Sequence, residues 1–139
     1  MYLLDTNVVS ELRKKSSGNA DRNVVAWETS VLASSVYISV VTVMELELGT
    51  LRIARRDPPQ GAILRFWIDN SVLKSFAGRI LPIDVEIAQR AAALHIPDPR
   101  PEHHALIAAA ALIHNMTVVT RNITDFAPTG VSIINPWES

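Results

Sequence analysis

Apolar residues along this chain fall into two alternating patterns. Short runs rich in β-branched and aromatic residues read as strands; longer stretches with apolar positions three and four apart read as helices. Tyr2-Leu3-Leu4, ending at Asp5, is the first strand, and a helix is expected from Asn7 to Lys15, broken by Ser16-Ser17-Gly18-Asn19. Val24, Val25, Trp27, Val31 and Leu32 have helical spacing, and Val36-Tyr37-Ile38-Ser39 reads as a second strand. A long helix is expected from Thr42 to Arg56, stopped by Asp57-Pro58-Pro59. Ile63, Leu64, Trp67, Ile68, Val72 and Phe76 repeat at helical spacing as far as Gly78, and Ile80-Leu81 is a short strand. Asp84 reads as the N-cap of a helix through Leu94. The stretch from Pro97 to Pro101 is a stiff loop whose last proline suits a first helical position. Ala105 to Ile113 is apolar on every face, which predicts a buried helix. Thr117–Thr120 and Val131–Ile134 complete the strands.

Strands that are apolar throughout, alternating with helices, predict a parallel sheet covered on both faces. The expectation is one domain over residues 1–139, an α/β chain in three layers. Ligands bind such sheets at the carboxyl ends of the strands. Asp5, the Thr42–Glu45 segment and Arg121-Asn122-Ile123-Thr124-Asp125 all fall there, with the start of the Pro101–Asn115 helix nearby.

Composition narrows the chemistry. The 139 residues carry 13 Lys and Arg against 14 Asp and Glu, with 48% hydrophobic residues and no cysteine. The apolar fraction excludes intrinsic disorder, and the missing cysteines exclude disulfide frameworks, zinc ribbons and thiol nucleophiles. The first residues have no basic segment and reach a charge at once, and no apolar run is long enough to span a bilayer. A cytoplasmic location without membrane association is therefore expected. A net charge of −1 argues against indiscriminate coating of nucleic acid. Two local basic clusters, Arg13-Lys14-Lys15 and Arg52, Arg55, Arg56, leave room for a local contact or for simple solvated helix ends.

Acidic and amide side chains gathered on one edge suggest a hard-cation site, because Mg²⁺ takes oxygen ligands and needs only one or two carboxylates plus water and phosphate. Structural alternatives stand beside this reading. Glu45 completes a Thr42-x-x-Glu45 capping box. Asn122 with Asp125 suits an Asx-type turn. Asp5 resists such an explanation, since a carboxylate directly after a buried strand is costly unless paired or ligating.

Leu3-Leu4-Asp5-Thr6-Asn7, Val41-Thr42-Val43-Met44-Glu45-Leu46 with Gly49, Ala105-Leu106-Ile107-Ala108-Ala109, Val119-Thr120-Arg121-Asn122-Ile123-Thr124-Asp125-Phe126 and Ile134-Asn135-Pro136-Trp137 occur in that order. Together they resemble the PIN domain, and more narrowly the VapC toxins of bacterial toxin–antitoxin pairs, in their FitB-like branch. The resemblance implies a five-stranded parallel sheet between helices and Mg²⁺-dependent cleavage of RNA, with Mn²⁺ as a substitute ion. The RNA would be a structured one such as a tRNA or rRNA loop. It also implies a homodimer and a VapB-type antitoxin whose tail fills the site, with operator DNA met only through the antitoxin complex.

Carried onto this chain, the resemblance makes Asp5, Glu45 and Asp125 catalytic. It makes Asp5, Glu45, His104, Asn122 and Asp125 the metal-site positions, and Thr6, Asn7, Thr120 and Arg121 substrate-binding residues. His104 departs from the pattern, because the family has an aspartate at that position. Neutral imidazole is a poor Mg²⁺ ligand and brings no negative charge, so the site is expected to be weakened. Asp98 and Glu102 lie close upstream as partial substitutes. A catalytically degenerate PIN domain that binds RNA or antitoxin without cutting is the principal alternative. A metal-free nuclease using His95, His103, His104 or His114 and an Asp5 phosphotransferase are weaker ones; the latter fold type expects an aspartate where Asn7 stands.

Overall fold

The computed structural model describes residues 1–138. Its five strands are β1 (Tyr2–Leu4), β2 (Val36–Ser39), β3 (Ile80–Leu81), β4 (Thr117–Val119) and β5 (Ile133–Ile134). They form one sheet in the order β3-β2-β1-β4-β5, with every neighbouring pair parallel. Leu3 pairs with Tyr37 on one side and Val118 on the other, so the first strand lies at the centre of the sheet.

Helices cover both faces. On one side α1 (Thr6–Leu12), α2 (Arg22–Ser30) and α4 (Pro58–Trp67) enclose Leu4, Val8, Val24, Ile38 and Ile68. On the other, α6 (Val85–Leu94) and α7 (Glu102–His114) pack over Leu3, Ile87, Ile107, Val118 and Phe126. Five consecutive residues of α7, Ile107 to Ala111, are fully buried, as its all-apolar pattern predicted.

The long helix α3 (Val40–Arg56) begins earlier than the sequence pattern suggested. Ser39 caps it by accepting from the Val41 amide, so Thr42 lies inside the helix and the Thr42–Glu45 capping box does not form. Asp57-Pro58-Pro59 ends α3 but also starts α4, with Asp57 accepting from the Gln60 amide and proline in the first turn. The two helices approach so closely that a Cβ on Gly61 would lie 2.4 Å from Ala54 Cβ. After α4 the chain widens to a π-turn over Ile68–Val72 before the short α5 (Leu73–Ser75). Pro101 sits one residue ahead of α7, whose first residue is Glu102. A four-residue helix not expected from the sequence, α8 (Ile123–Phe126), follows β4. The last two strands are shorter than predicted.

Candidate active site

The carboxyl ends of β1 and β4 meet at Asp5. Its backbone amide donates to the Val119 carbonyl at 2.9 Å, which continues the sheet ladder by one residue. Its side chain caps α1, with Oδ1 accepting from the Thr6 amide at 2.8 Å. Oδ2 accepts from the Thr120 hydroxyl at 2.8 Å. Thr120 Oγ1 in turn accepts from the Asn122 amide, which shapes the turn that Asn122 was expected to make with its own side chain.

Only 3% of Asp5 is exposed. Burial pushes its carboxyl above the ordinary value of 3.8. The Thr120 and Thr6 hydrogen bonds and the nearby His104 oppose that rise, while the charge of Glu45 adds to it. The carboxylate is thus held in place by neutral donors, with no Lys or Arg salt bridge among the described residues.

Glu45 reaches the same place from α3. Thr6 Oγ1 lies 2.8 Å from Glu45 Oε1 and 3.2 Å from Thr42 Oγ1. A hydroxyl has one proton; donated to the carboxylate, it leaves Thr6 to accept from Thr42. Glu45 is therefore tied to the start of α1, one residue from Asp5. His103 Nδ1 lies 3.5 Å from the other Glu45 oxygen.

His104 occupies the third residue of α7. Its ring packs on Phe126 at 4.9 Å between centroids. Nδ1 is sealed from solvent, 3.3 Å from Asp125 Oδ2 but outside hydrogen-bond geometry, and has no other partner among the described residues. Asp125 itself, on α8, is 43% exposed at its side chain. Asn7 Nδ2 approaches Thr120 Oγ1 at 3.4 Å, and Asn7 Oδ1 accepts from the Arg121 amide at 3.5 Å.

Asp5, Thr6, Glu45 and Thr120 are thus linked by hydrogen bonds, while His104 pairs with Asp125 and lies near enough to Asp5 to favour its charged form. Asn122 is exposed, as are Asp98 and Glu102. His95 Nδ1 is engaged by the Arg100 amide, and His114 is near the far end of α7. The roles of Thr42 and His103 here were not foreseen; only the spacing of Thr42 three residues before Glu45 marked it.

A model of the PIN domain matches residues 2–128. The chain belongs to the PIN-domain family. It is 35% identical to "VapC ribonuclease Y4jK" of Sinorhizobium fredii, over 99% of both chains. It is 38% identical to "Toxin FitB" of Neisseria gonorrhoeae, again over 99% of both. The solved FitAcB structure from Neisseria gonorrhoeae superimposes with a TM-score of 0.89, covering 100% of each chain at 35% identity. The five-stranded parallel sheet flanked by helices is therefore the PIN fold, in its VapC and FitB branch.

PIN-domain ribonucleases use divalent metal ions. Among the described residues, no three His, Asp or Glu side chains stand ready as a complete ligand group. The donor set still fits such an ion in part. Two carboxylates held by one residue, Asp5 by the Thr6 amide and Glu45 by the Thr6 hydroxyl, suffice for Mg²⁺ when water and phosphate complete its shell. A desolvated Asp5 that is raised further by Glu45 is the electrostatic situation a cation relieves. The imidazole of His104 is the element of the PIN domain that fits poorly.

Proposed function

We propose that this PIN domain, spanning residues 1–139, is the toxin of a VapBC-type pair: a cytoplasmic endoribonuclease whose divalent-ion site is weakened by His104. The observation that carries it is the buried Asp5 carboxylate, raised by burial and sharing its surroundings with Glu45. Asp5 and Glu45 would hold Mg²⁺, or Mn²⁺ in its place, with Asp125 and Asn122 at the rim. The ion would supply charge neutralisation at a scissile phosphate and an activated water for in-line attack.

The protein's own residues do the positioning. Thr120 and the Thr6 amide fix the two Asp5 oxygens. The Thr6 hydroxyl fixes Glu45. Asn7 braces the turn that carries Arg121. A carboxylate held this way is fixed before an ion arrives, so the site is preorganised for a cation at little entropic cost.

Two surfaces support the expected partners. Val40, Met44, Leu48 and Leu51 form an exposed stripe on α3, beside Ile63 and Phe66 on α4. A second copy of the chain would cover it, giving the homodimer. An apolar groove of about 460 Å³ between α1 and the α4–α5 segment is lined by Leu4, Val9, Leu12, Trp67, Val72 and Phe76, with Arg13 at its rim. It suits an antitoxin helix with an acidic flank, and operator DNA would be met only through that antitoxin. Sedimentation at tens of micromolar tests the dimer; a strictly monomeric protein removes it.

The decisive experiment incubates purified protein with total tRNA and rRNA in Mg²⁺, Mn²⁺ or EDTA and analyses the product ends. Slow, EDTA-sensitive cleavage leaving 5′-phosphates and 3′-hydroxyls is expected. A cyclic phosphate, or cleavage unaffected by EDTA, overturns the metal reading. The second reading, a degenerate domain that binds RNA or antitoxin without cutting, is favoured by the unpartnered His104 Nδ1. It predicts RNA binding with no cleavage in either metal.

A further inference from the structure

Three arginines in the described chain lie over aromatic rings, and they differ in what their N–H groups do. Arg79 stacks on Phe76 and donates to the carbonyls of Ala33, Val36 and Ser75, which makes it part of the scaffold. Arg13 covers Trp67 at 5.9 Å, at the far end of α1 from Asp5. Arg121 lies 5.0 Å from the Trp137 ring centroid, is exposed, and has no hydrogen bond or ion pair from its guanidinium among the described residues.

Its place is significant. Arg121 is bonded to Thr120, whose hydroxyl grips Asp5, and its amide donates to Asn7 next to Thr6. The residue beneath it is held by its backbone, and its side chain packs against the core. The Trp137 amide donates to Asn135 Oδ1 at 3.0 Å, and its carbonyl accepts from Asn23 Nδ2 at 2.8 Å, tying the end of the chain to α2. Pro136, just before it, is buried.

A guanidinium lying on an aromatic face keeps its charge and loses rotamer freedom, while its edge N–H groups stay available to phosphate oxygens. The resemblance already makes Arg121 a substrate-binding residue; we infer that what it grips is a backbone phosphate of a single-stranded RNA segment entering the site, and that Trp137 is its positioning residue. This rests on the ribonuclease reading above and adds a contact and a role to it. The cation offsets an edge otherwise dominated by Asp5, Glu45 and Asp125, where an RNA strand would be repelled.

The test measures binding of a short single-stranded oligoribonucleotide by anisotropy in EDTA across a salt series, together with kcat and KM for its cleavage in Mn²⁺. The proteins are the parent, Arg121→Ala, Trp137→Ala, Trp137→Phe and the double alanine variant. Arg121→Ala should bind roughly tenfold more weakly and lower the salt slope by about 0.7, the loss of one phosphate contact to a single strand. Trp137→Ala should weaken binding about threefold, the scale of an exposed cation–π contact, raising KM while kcat stays within twofold. Trp137→Phe should recover most of that loss. The double variant should bind no worse than Arg121→Ala, because Trp137 acts through the arginine.

If the parent binds and cuts but Arg121→Ala keeps the parent's salt slope, the phosphate contact is wrong and the ribonuclease reading survives. If Trp137→Ala costs as much in the Arg121→Ala background as alone, the positioning role is wrong. A parent that neither binds nor cuts the oligoribonucleotide overturns both the inference and the reading beneath it.

Discussion

Replacing His104 with aspartate tests the weakest element of the site from two directions. Without metal, a carboxylate at the third residue of α7 would face Asp125, whose Oδ2 is 3.3 Å from the present imidazole nitrogen, and would join Asp5 and Glu45. The helix N-terminus offsets part of this repulsion, by about 0.3–1 kcal/mol. Asp5 is already raised by burial, so the remaining repulsion should leave the metal-free variant less stable by roughly 1 kcal/mol. For a domain of this size that is a fall in Tm of about 3–4 °C.

With metal the sign reverses. A charged oxygen ligand in place of a neutral nitrogen should tighten Mg²⁺ at least as much as a supporting partner of a metal ligand does, roughly ten- to hundredfold. At Mg²⁺ a hundredfold above its Kd, linkage returns about 2.7 kcal/mol of stability. His104→Asp should therefore melt below the parent in EDTA and above it in millimolar Mg²⁺, with calorimetry giving the tighter Kd directly. RNA cleavage should rise with occupancy, and Asp5→Ala in that background should abolish the gain. Identical melting curves for the two proteins in both conditions would place His104 away from the ion and refute the reasoning.

Asp5→Asn should raise the Tm of the metal-free protein at neutral pH while removing cleavage. A carboxyl whose pKa is raised on folding opposes folding above that pKa, so the advantage should shrink as pH falls toward 4, read by calorimetric melting. Glu47 behaves oppositely. Arg65 grips it with two hydrogen bonds and holds its carboxyl below the ordinary 4.5. Glu47→Gln should cost about 0.5–1 kcal/mol at pH 7 in urea unfolding, and the difference should shrink as pH falls below that ordinary value and vanish only below the lowered one. Gly61→Ala should destabilise by about 1–3 kcal/mol, because the new methyl meets the Ala54 backbone at 2.5 Å; an unchanged urea midpoint would show that α3 and α4 can slide apart freely.

The strands and the buried α7 were legible because their patterns are local and unmixed. The start of α3 was not, because Val40 and Val41 continue an apolar β-branched run and only the Ser39 hydroxyl marks the change of period. The helix α8 escaped notice for its length: four residues with an exposed isoleucine leave no periodicity to read. At the site, Asp5 stood out because a carboxylate after an apolar strand demands a reason. Its partner Thr120 is 115 residues away, and nothing local couples the two. The same holds for Thr6 and Glu45, whose hydroxyl–carboxylate bond joins separate helices and replaces the capping box that spacing suggested.

The central position of β1 has a consequence for synthesis. The first strand of the sheet to be made is the one flanked on both sides, by β2 and by β4. Until residues 117–120 have been made, one edge of β1 is open and Asp5 lacks the hydroxyl that orients it. Folding must then close contacts spanning most of the chain, which places completion late and makes it slow for a domain of this length. A nascent chain therefore carries its acidic residues without an assembled site. A site built on this strand order is assembled only after residues 117–120 have joined the sheet.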